Sequence, residues 1–331
     1  MNSYKVWVLV PVYNDWVAVS LLLEQLDRVL PDPDLRMRVL LVDDGSSEPI
    51  GRTFDTLSLA RIDEIQVLSL RRNLGHQRAI AIGLAWLESE QSSDAVVIMD
   101  GDGEDDPADV PRLIQKCRSL GNSTIVFAER TRRVDSLSFR SLYACYRGAH
   151  WVLTGIKVRV GNFSIVPREV LRKLVTVSEL WNHYAAAVYA AKLPRDTIET
   201  TRRPRLHGRS KMNSVSLVGH GLAAMSVHGE ALAIRLLFGS VGIGFTVIAG
   251  LLLVAAESYE TVSRSALIFG GALALGLVAG LTGMALVLAL RTLQGRTTSG
   301  FLPLRDYRIF VDTVVPLRLG AHANASQQPV S

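Results

Sequence analysis

The chain has 331 residues and a net charge of +5, and 20% of its residues are charged while 48% are apolar. This length allows two medium domains, or one larger domain with an appendage. The mean hydropathy is positive, so part of the apolar content is expected to face lipid rather than a protein core. The basic excess is small and lies near the apolar segments, which favours anionic lipid over nucleic acid as the attracting surface.

Short β-branched runs alternate with helical patterns over the first part of the chain. The pattern predicts strands at 6–12, 38–42, 65–70, 95–99 and 124–128, with helices at 17–30, 77–88 and 108–120. This alternation predicts an α/β domain, a largely parallel sheet with helices on its faces. Ligands of such sheets bind beyond the carboxyl ends of the strands.

Four consecutive predicted strands end in polar sequence, and the last of these ends is strongly acidic. Asp100 and Asp102 stand two residues apart, so both carboxylates can share one hard cation, Mg²⁺ or Mn²⁺, while diphosphate oxygens supply further ligands. A solvated acidic turn is the alternative. A calcium loop of the EF-hand type is excluded by spacing, because Asp105 and Pro111 stand where a glycine and a glutamate are required.

Two other strand ends offer groups for a nucleotide. Asp43 and Asp44 can accept hydrogen bonds from a base or a ribose hydroxyl, with helix capping as the alternative for Asp44. The segment 71–79 offers a cation, Asn73 and a glycine before a helix, all suited to phosphate, although capping also explains Asn73. No Walker phosphate loop or Gly-x-Gly-x-x-Gly fingerprint follows a strand, which disfavours kinases and dinucleotide oxidoreductases.

Two long uncharged segments predict a membrane hairpin. Residues 236–256 and 266–290 contain 21 and 25 residues without a charge, enough to cross a hydrocarbon layer of roughly 30 Å. The polar loop between them is short, so both flanks lie on one side. Arg235, Arg291 and Arg296 flank the pair, which places the flanks in the cytoplasm. We therefore predict a two-helix protein of the inner (cytoplasmic) membrane whose N-terminal domain is cytosolic.

The motifs in this order resemble one family. They are Pro11-Val12-Tyr13-Asn14, Val42-Asp43-Asp44-Gly45-Ser46, Arg72-Asn73-Leu74-Gly75, the Asp100/Asp102 pair with Asp105 and Pro107, and Arg205-Leu206-His207-Gly208-Arg209-Ser210-Lys211. The chain resembles the family 2 glycosyltransferases of GT-A fold, in the polyprenyl-phosphate branch of the dolichol-phosphate mannose synthase type. The resemblance covers residues 4 to about 213.

Site residues follow from this resemblance together with the polar strand ends. The donor site is expected to include Pro11, Tyr13, Asn14, Asp43, Asp44, Arg72, Asn73, Gly75 and Asp100. The resemblance implies that Asp102, with Asp100 beside it, ligates a metal on the donor diphosphate. It implies that the acceptor phosphate meets Arg130, Arg205, Ser210 and Lys211, so that the predicted catalytic residues are Asp102, Asp105, Arg130, Arg205 and Lys211.

The chain departs from the family pattern directly after the metal motif. The usual continuation is apolar-Gln-Asp-Pro-Pro, whereas this chain has Gly103-Glu104-Asp105-Asp106-Pro107. Glu104 and Asp106 are therefore extra acids, expected to tune the metal, to act as a base, or to face water.

The predicted function is that of an inverting glycosyltransferase of the hexosyltransferase type. It would move a sugar from a nucleotide-sugar donor to a polyprenyl (undecaprenyl-type) phosphate at the cytosolic membrane face. One alternative is a glycolipid or glycan hydroxyl as acceptor, which requires a base such as Asp105, Asp106 or Glu104. Another is a catalytically inactive membrane scaffold.

The predicted domains are a catalytic domain at 1–212, a juxtamembrane amphipathic helix at 213–235, the hairpin at 236–290 and a cytosolic tail at 291–331. The amphipathic helix is inferred from an apolar stripe that is expected to lie along the membrane surface; its members are Val215, Val218, Leu222, Met225 and Leu232. The glycines of the hairpin indicate close helix packing, or pairing of subunits in a homo-oligomer.

Overall fold

The computed structural model describes residues 4–29, 35–132, 148, 151–152, 154, 160–208, 219, 221, 223–257, 264–297 and 300–317. The chain forms two compact units. The first, the sheet unit, comprises Met1–Asp135, Val158–Val227 and Phe301–Ser331, and the second, the hairpin unit, comprises Ser136–Lys157 and His228–Gly300.

The sheet unit contains an eight-stranded sheet flanked by helices. Its strands are β1 (Tyr4–Val12), β2 (Leu35–Asp43), β3 (Ile62–Leu70), β4 (Ala95–Ile98), β5 (Ile125–Arg132), β6 (Ser164–Pro167), β7 (Arg195–Thr201) and β8 (Val311–Pro316). Its helices include α1 (Trp16–Arg28), α2 (His76–Glu90), α3 (Asp109–Ser119), α4 (Arg168–Leu174) and α5 (Tyr184–Ala190). The hairpin unit contains α6 (Gly229–Glu257) and α7 (Arg264–Thr297), and the short helix α8 (Pro303–Asp306) precedes β8.

The strand order is β7-β5-β6-β4-β1-β2-β3-β8. Strands β1 to β4 run parallel, β6 is antiparallel to both of its neighbours, and β8 is antiparallel to β3. The predicted, largely parallel α/β sheet is therefore confirmed. The chain builds β1, β2 and β3 outward and then returns to place β4 on the other side of β1. Because these four strands are parallel, their carboxyl ends lie at one edge of the sheet, and ligands of such sheets bind at this edge, beside the point of reversal.

Alternate residues of β1 bury opposite faces of the sheet. Val8 and Val10 pack into the core that includes α1 and α3, while Trp7 and Leu9 pack into the core that includes α2 and α5. The period-2 alternation of a strand makes this division, because successive side chains point to opposite faces. Helices thus cover both faces, as predicted.

The segment Phe301–Leu317 belongs to the sheet rather than to the predicted tail at 291–331. Strand β8 pairs with β3 at the sheet edge. Tyr307 is 3% exposed and donates a hydrogen bond to Glu90 on α2. The rings of Phe301 and Phe310 pack against Trp181. The sheet unit therefore extends beyond the domain boundary predicted at residue 212, because the chain returns to it after the hairpin and adds strand β8.

Helices α6 and α7 confirm the two apolar segments predicted from the sequence. Gly229–Gly250 and Phe269–Leu288 have mean hydropathies of 2.0 and 2.1 and are long and apolar enough to cross a membrane. Thr282 donates a hydrogen bond to the Ser240 hydroxyl between the helices. The two helices therefore pack together as a hairpin.

The predicted amphipathic helix at 213–235 falls partly outside the described residues. Positions 219, 221 and 223–226 are helical, a turn follows at 227–228, and α6 begins at Gly229. Ala224 and Val227 are buried against Ala186 of α5. This part of the segment thus packs on the sheet unit, whereas Val215, Val218 and Leu222 lie outside the described residues.

Replacing Tyr307 with alanine tests whether the C-terminal segment is integral to the fold. Tyr307→Ala leaves a cavity in the core beside α2 and removes the bond to Glu90, so we expect the free energy of unfolding to fall by about 3 kcal/mol. Ile309→Ala is the matched control, since Ile309 is 66% exposed. We expect the control to cost less than about 0.5 kcal/mol. Thermal unfolding of both variants in detergent measures the difference, and equal melting temperatures would contradict a docked segment.

Candidate functional site

The acidic loop, Asp100–Pro107, follows β4 at the carboxyl edge of the sheet. Its first acid, Asp100, lies with Oδ1 3.1 Å from Nε2 of His76, the first residue of α2. Asn162 also lies 3.0 Å from the same ring nitrogen through Nδ2. Desolvation would raise the pKa of Asp100, but the charges of His76 and Arg130 hold that pKa at about 2. Asp100 is therefore an anion held in place by its neighbours.

Asp105 is 3% exposed and forms the buried base of the same loop. Its Oδ2 accepts a hydrogen bond from the Asp100 amide at 3.1 Å, and its Oδ1 accepts one from Arg130 on β5 at 2.9 Å. Burial and the nearby Asp100 charge raise the pKa of Asp105 to about 7, against the opposing charge of Arg130. Arg130, a residue of β5, thus contacts the buried base of the acidic loop.

Asp102 faces the residues that follow β7. Its carboxylate lies 3.4 Å from the Arg205 guanidinium, which also pairs with Asp15 at the start of α1. Burial and the Asp100 charge raise the pKa of Asp102 above its ordinary value. One arginine therefore links the predicted metal carboxylate to the loop after β1.

The two extra acids are both paired with arginines. Glu104 pairs with Arg202, and the Asp106 carboxylate lies 3.2 Å from Arg203. Both arginines come directly after β7 and precede Arg205 in the chain. The extra acids thus face the segment that carries Arg205.

Asp44 holds two segments of the sheet unit together. It is 3% exposed, and its two oxygens accept hydrogen bonds from the amides of Leu74 and Gly75 at 2.7 and 2.9 Å. Gly45 has a φ of +70°, and a Cβ there would lie 2.6 Å from the Asn73 nitrogen. Asp44 therefore bonds the turn after β2 to the loop before α2, and its role is to hold that loop in position.

Asp43, Asn14 and Tyr13 lie on a more open part of the edge. Asp43 Oδ1 accepts a hydrogen bond from the Ser46 amide at 2.9 Å. The backbone amide of Asn14 donates a hydrogen bond to the Ser46 hydroxyl at 2.9 Å. The side-chain oxygen of Asn14 accepts one from the backbone amide of Ser47 at 2.9 Å. Tyr13 is 45% exposed. These contacts fix the turn after β2 beside the end of β1 and leave the Tyr13 ring free to meet a ligand.

The remaining predicted donor residues divide by exposure. Pro11 is buried in β1, whereas Arg72 and Asn73 are exposed at the end of β3. Gly75 has a φ of +96° directly before α2, a conformation that glycine adopts without strain. The structure therefore brings Asp105 into contact with Asp100 and Arg130, and Asp102 into contact with Arg205, with the donor residues along the same edge. Ser210 and Lys211 lie outside the described residues.

Sequence reasoning missed several residues of this edge, and they share one property. They contact predicted site residues, or the partners of those residues, rather than belonging to a motif: Asp15, His76, Asn162, Arg202 and Arg203. The run of basic residues before Arg205 was the only sequence signal for Arg202 and Arg203. Asn162 is far from every motif in the chain, so only the fold identifies it.

The metal expected at Asp100 and Asp102, shared with a bound diphosphate, stays a prediction. Among the described residues, no group of three or more His, Cys, Asp or Glu side chains is arranged to hold a metal. Two carboxylates alone make an incomplete shell for Mg²⁺ or Mn²⁺, which take oxygen ligands and readily share them with substrate phosphates. Asp100 and Asp102 would therefore form only part of a metal site, and a diphosphate would have to supply further ligands.

Asp44 and Asp43 are adjacent acids with different expected contributions to stability. Asp44→Ala leaves the amides of Leu74 and Gly75 without their acceptor, so we expect the free energy of unfolding to fall by about 2–4 kcal/mol. Asp43→Ala removes one capping bond to Ser46 and is expected to cost less than about 1 kcal/mol. Chemical or thermal unfolding of the two variants measures the contrast. A smaller loss for Asp44→Ala than for Asp43→Ala would refute the structural assignment.

Among curated proteins, similar sequences include named transferases. An uncharacterized glycosyltransferase of Bacillus subtilis (strain 168) is 26% identical over 213 residues, 62% of each chain. The undecaprenyl-phosphate 4-deoxy-4-formamido-L-arabinose transferase of Klebsiella pneumoniae (strain 342) is 30% identical over 137 residues, 41% of this chain and 40% of the relative. The bactoprenol glucosyl transferase of Shigella phage SfX is 25% identical over 217 residues, 64% of this chain and 68% of the relative. The match thus spans less than two thirds of the length of the first two relatives.

Solved structures of similar shape include the glucosyl-3-phosphoglycerate synthase of Mycobacterium tuberculosis in complex with Mn²⁺, uridine diphosphate and glucosyl-3-phosphoglycerate. It is 17% identical, with a TM-score of 0.44, and the match covers 70% of this chain and 80% of that one. Residues 7–175 match the family model described as Glycosyl transferase family 2. Because this match covers more than half of the chain, the protein belongs to glycosyl transferase family 2.

Proposed function

We propose that this glycosyltransferase moves a sugar from a nucleoside diphosphate donor to the phosphate of a polyprenyl lipid. One observation carries the choice of a phosphate acceptor. Each acid that follows Asp102 in the acidic loop is paired with an arginine: Glu104 with Arg202, Asp105 with Arg130 and Asp106 with Arg203. A hydroxyl acceptor requires a free general base, whereas a phosphate acceptor does not.

The names of two relatives support the same acceptor class. One is named for undecaprenyl phosphate and one for bactoprenol. The family match covers residues 7–175, which include the acidic loop and Arg130. We therefore assign the acceptor to the polyprenyl phosphates, with the undecaprenyl type as the first candidate.

On the donor side, the proposed nucleotide site runs along the carboxyl edge from Tyr13 to Asp100. Asp43 and Asn14 are fixed through Ser46, so the turn after β2 is ordered before a nucleotide binds. Asp102, with Asp100 beside it, would hold the divalent cation of the donor diphosphate. When bound, that cation neutralises the charge that develops on the departing nucleoside diphosphate.

On the acceptor side, the proposed contacts are Arg130, Arg205, Ser210 and Lys211. A lipid monophosphate has a second pKa of about 6, so it is mostly dianionic at neutral pH and needs no strong base. Arginines hold such a phosphate through paired N–H donors. One phosphate oxygen attacks the anomeric carbon as the bond to the nucleoside diphosphate breaks. This single displacement inverts the anomeric carbon and releases the nucleoside diphosphate with the electron pair of the broken bond.

Chain connectivity supports a membrane-anchored arrangement. The chain leaves the sheet unit before α6 and returns to it after α7, where β8 pairs with β3. Two crossings therefore bring the chain back to the side of the membrane on which it started. We propose the cytosolic face of the inner membrane, since arginines flank the hairpin. Anchoring keeps the enzyme at the membrane surface that holds its lipid acceptor. The effective concentration of the acceptor at the enzyme is therefore raised.

A donor panel tests the reaction. Purified protein is incubated with undecaprenyl phosphate, Mg²⁺ or Mn²⁺, and each of a set of radiolabelled nucleotide sugars. We expect at least one donor to give a chloroform-extractable, acid-labile sugar lipid, because a glycosyl phosphate bond is cleaved by mild acid. An alkali-stable, acid-resistant glycolipid would indicate a hydroxyl acceptor, and no product with any donor would favour the scaffold.

Neutralising Asp102 tests the metal assignment. We expect Asp102→Asn to lower kcat by about 100-fold or more, since it removes a carboxylate that positions the leaving diphosphate. Chelation of divalent cations with EDTA is expected to abolish wild-type transfer, and added Mn²⁺ or Mg²⁺ to restore it. Glu169→Gln on α4 is the control, because Glu169 is an exposed acid that pairs with Lys173. Transfer that survives EDTA would overturn the metal assignment.

A further inference from the structure

A short basic segment, Arg202–Leu206, lies directly against the acidic loop. Two backbone hydrogen bonds join them, from the Arg203 amide to the Glu104 carbonyl at 3.0 Å and from the Leu206 amide to the Asp102 carbonyl at 2.9 Å. The basic segment is therefore bonded to the acidic loop on both sides of Arg205. We call this contact the seam.

Side-chain packing makes the seam tight at its centre. Gly103 has a φ of +76°, and a Cβ at this position would lie 2.3 Å from Cγ of Leu206. Leu206 in turn packs against the core that contains α1 and α3. Only glycine therefore fits at position 103 against Leu206. The Leu206 side chain sets the distance between the basic segment and the acidic loop.

Two ion pairs flank the backbone bonds. Arg202 pairs with Glu104, and Arg203 reaches both Asp106 at 3.2 Å and the Gln25 side chain at 3.1 Å. The segment thus presents two consecutive cations to the two acids by which this chain departs from its family. The pairing is complementary in sign at both positions.

The seam determines where Arg205 lies. Arg205 falls between the two bonded amides, and its guanidinium contacts Asp102 and Asp15, with both Arg205 and Asp15 about one-fifth exposed. Its Nε also donates to the His207 carbonyl at 3.0 Å. If the segment moved away from the loop, Arg205 would lose its position beside the metal carboxylate.

We propose that Glu104 and Asp106 are positioning residues that clamp the basic segment onto the acidic loop and so set Arg205 for the acceptor phosphate. This role rests on the proposed function, since Arg205 is there an acceptor contact. It assigns the two extra acids to the placement of a cation rather than to proton transfer or metal binding. Each pair is partly exposed, so the clamp acts through the sum of several contacts and not through one strong bond.

Charge exchange across one pair tests the clamp. Glu104→Arg and Arg202→Glu each place like charges together, so each single variant is expected to lower kcat/KM for undecaprenyl phosphate roughly 10-fold. The double variant, with the charges exchanged, is expected to recover to within about threefold of the wild-type value. The KM for the donor is expected to change less than about twofold in all three, because the clamp acts on the acceptor side.

The rescue separates the clamp from the other roles of Glu104. A base or a metal ligand at position 104 cannot be replaced by an arginine, so a double variant as inactive as Glu104→Arg would overturn the proposal. Unchanged kcat/KM in both single variants would also overturn it. A parallel exchange of Glu169 and Lys173, an exposed pair on α4, is the control and is expected to leave the kinetics unchanged.

Hydrogen exchange gives a readout that does not depend on catalysis. In the substrate-free protein, the amides of Arg203 and Leu206 are expected to exchange roughly 10-fold faster in each single variant and to return toward wild type in the double variant. Amides of α2 report whether the variants are folded. If the wild-type protein transfers no sugar to a polyprenyl phosphate, the proposed function fails, while this exchange pattern still decides the clamp. Unchanged exchange at Arg203 and Leu206 would overturn it.

Discussion

The structure depends on charge balance at one edge of the sheet. The acidic loop after β4 holds Asp100, Asp102 and Asp105 close together, and carboxylates this close repel one another. Each is offset by a cation from a different part of the chain: His76 from α2, Arg130 from β5 and Arg205 from the segment after β7. The attraction between each acid and its basic partner thus offsets the repulsion among the acids and holds the site together.

The same balance explains how one chain separates structural acids from acids that meet a ligand. Asp44 and Asp105 are almost fully buried and have both oxygens in use, so they hold loops in place. Asp102 lies at the seam, where its partner Arg205 is itself a proposed substrate contact. Binding of a metal and a diphosphate at Asp102 would change the partner of Arg205 rather than expose an unpaired charge.

The sequence predicted the part of the fold that follows a regular pattern. Strands β1 to β5 and helices α1 to α3 have strong alternation or helical spacing, and their ends bear polar motifs. Strands β6 and β8 were missed, because β6 has four residues and β8 is separated from its sheet by the whole hairpin. Strand β7 was missed because most of its residues are polar and exposed on one face.

The sequence predicted several residues of the candidate site but not the hydrogen bonds and ion pairs between them. Spacing after a predicted strand identifies Asp100 and Asp102, whereas Arg130 and Arg205 come from the family resemblance. Neither the motifs nor their spacing indicate that Asp44 bonds the loop before α2, or that Glu104 and Asp106 pair with arginines. Those contacts join residues 30 to 98 positions apart, so only the folded chain determines them.

A structure with Mn²⁺, a nucleoside diphosphate and a short-chain polyprenyl phosphate tests the central claim most directly. The account predicts a metal on Asp102 and the diphosphate, with the acceptor phosphate within about 3 Å of the guanidinium groups of Arg130 or Arg205. An acceptor phosphate bound away from both arginines, or a metal held without Asp102, would contradict it.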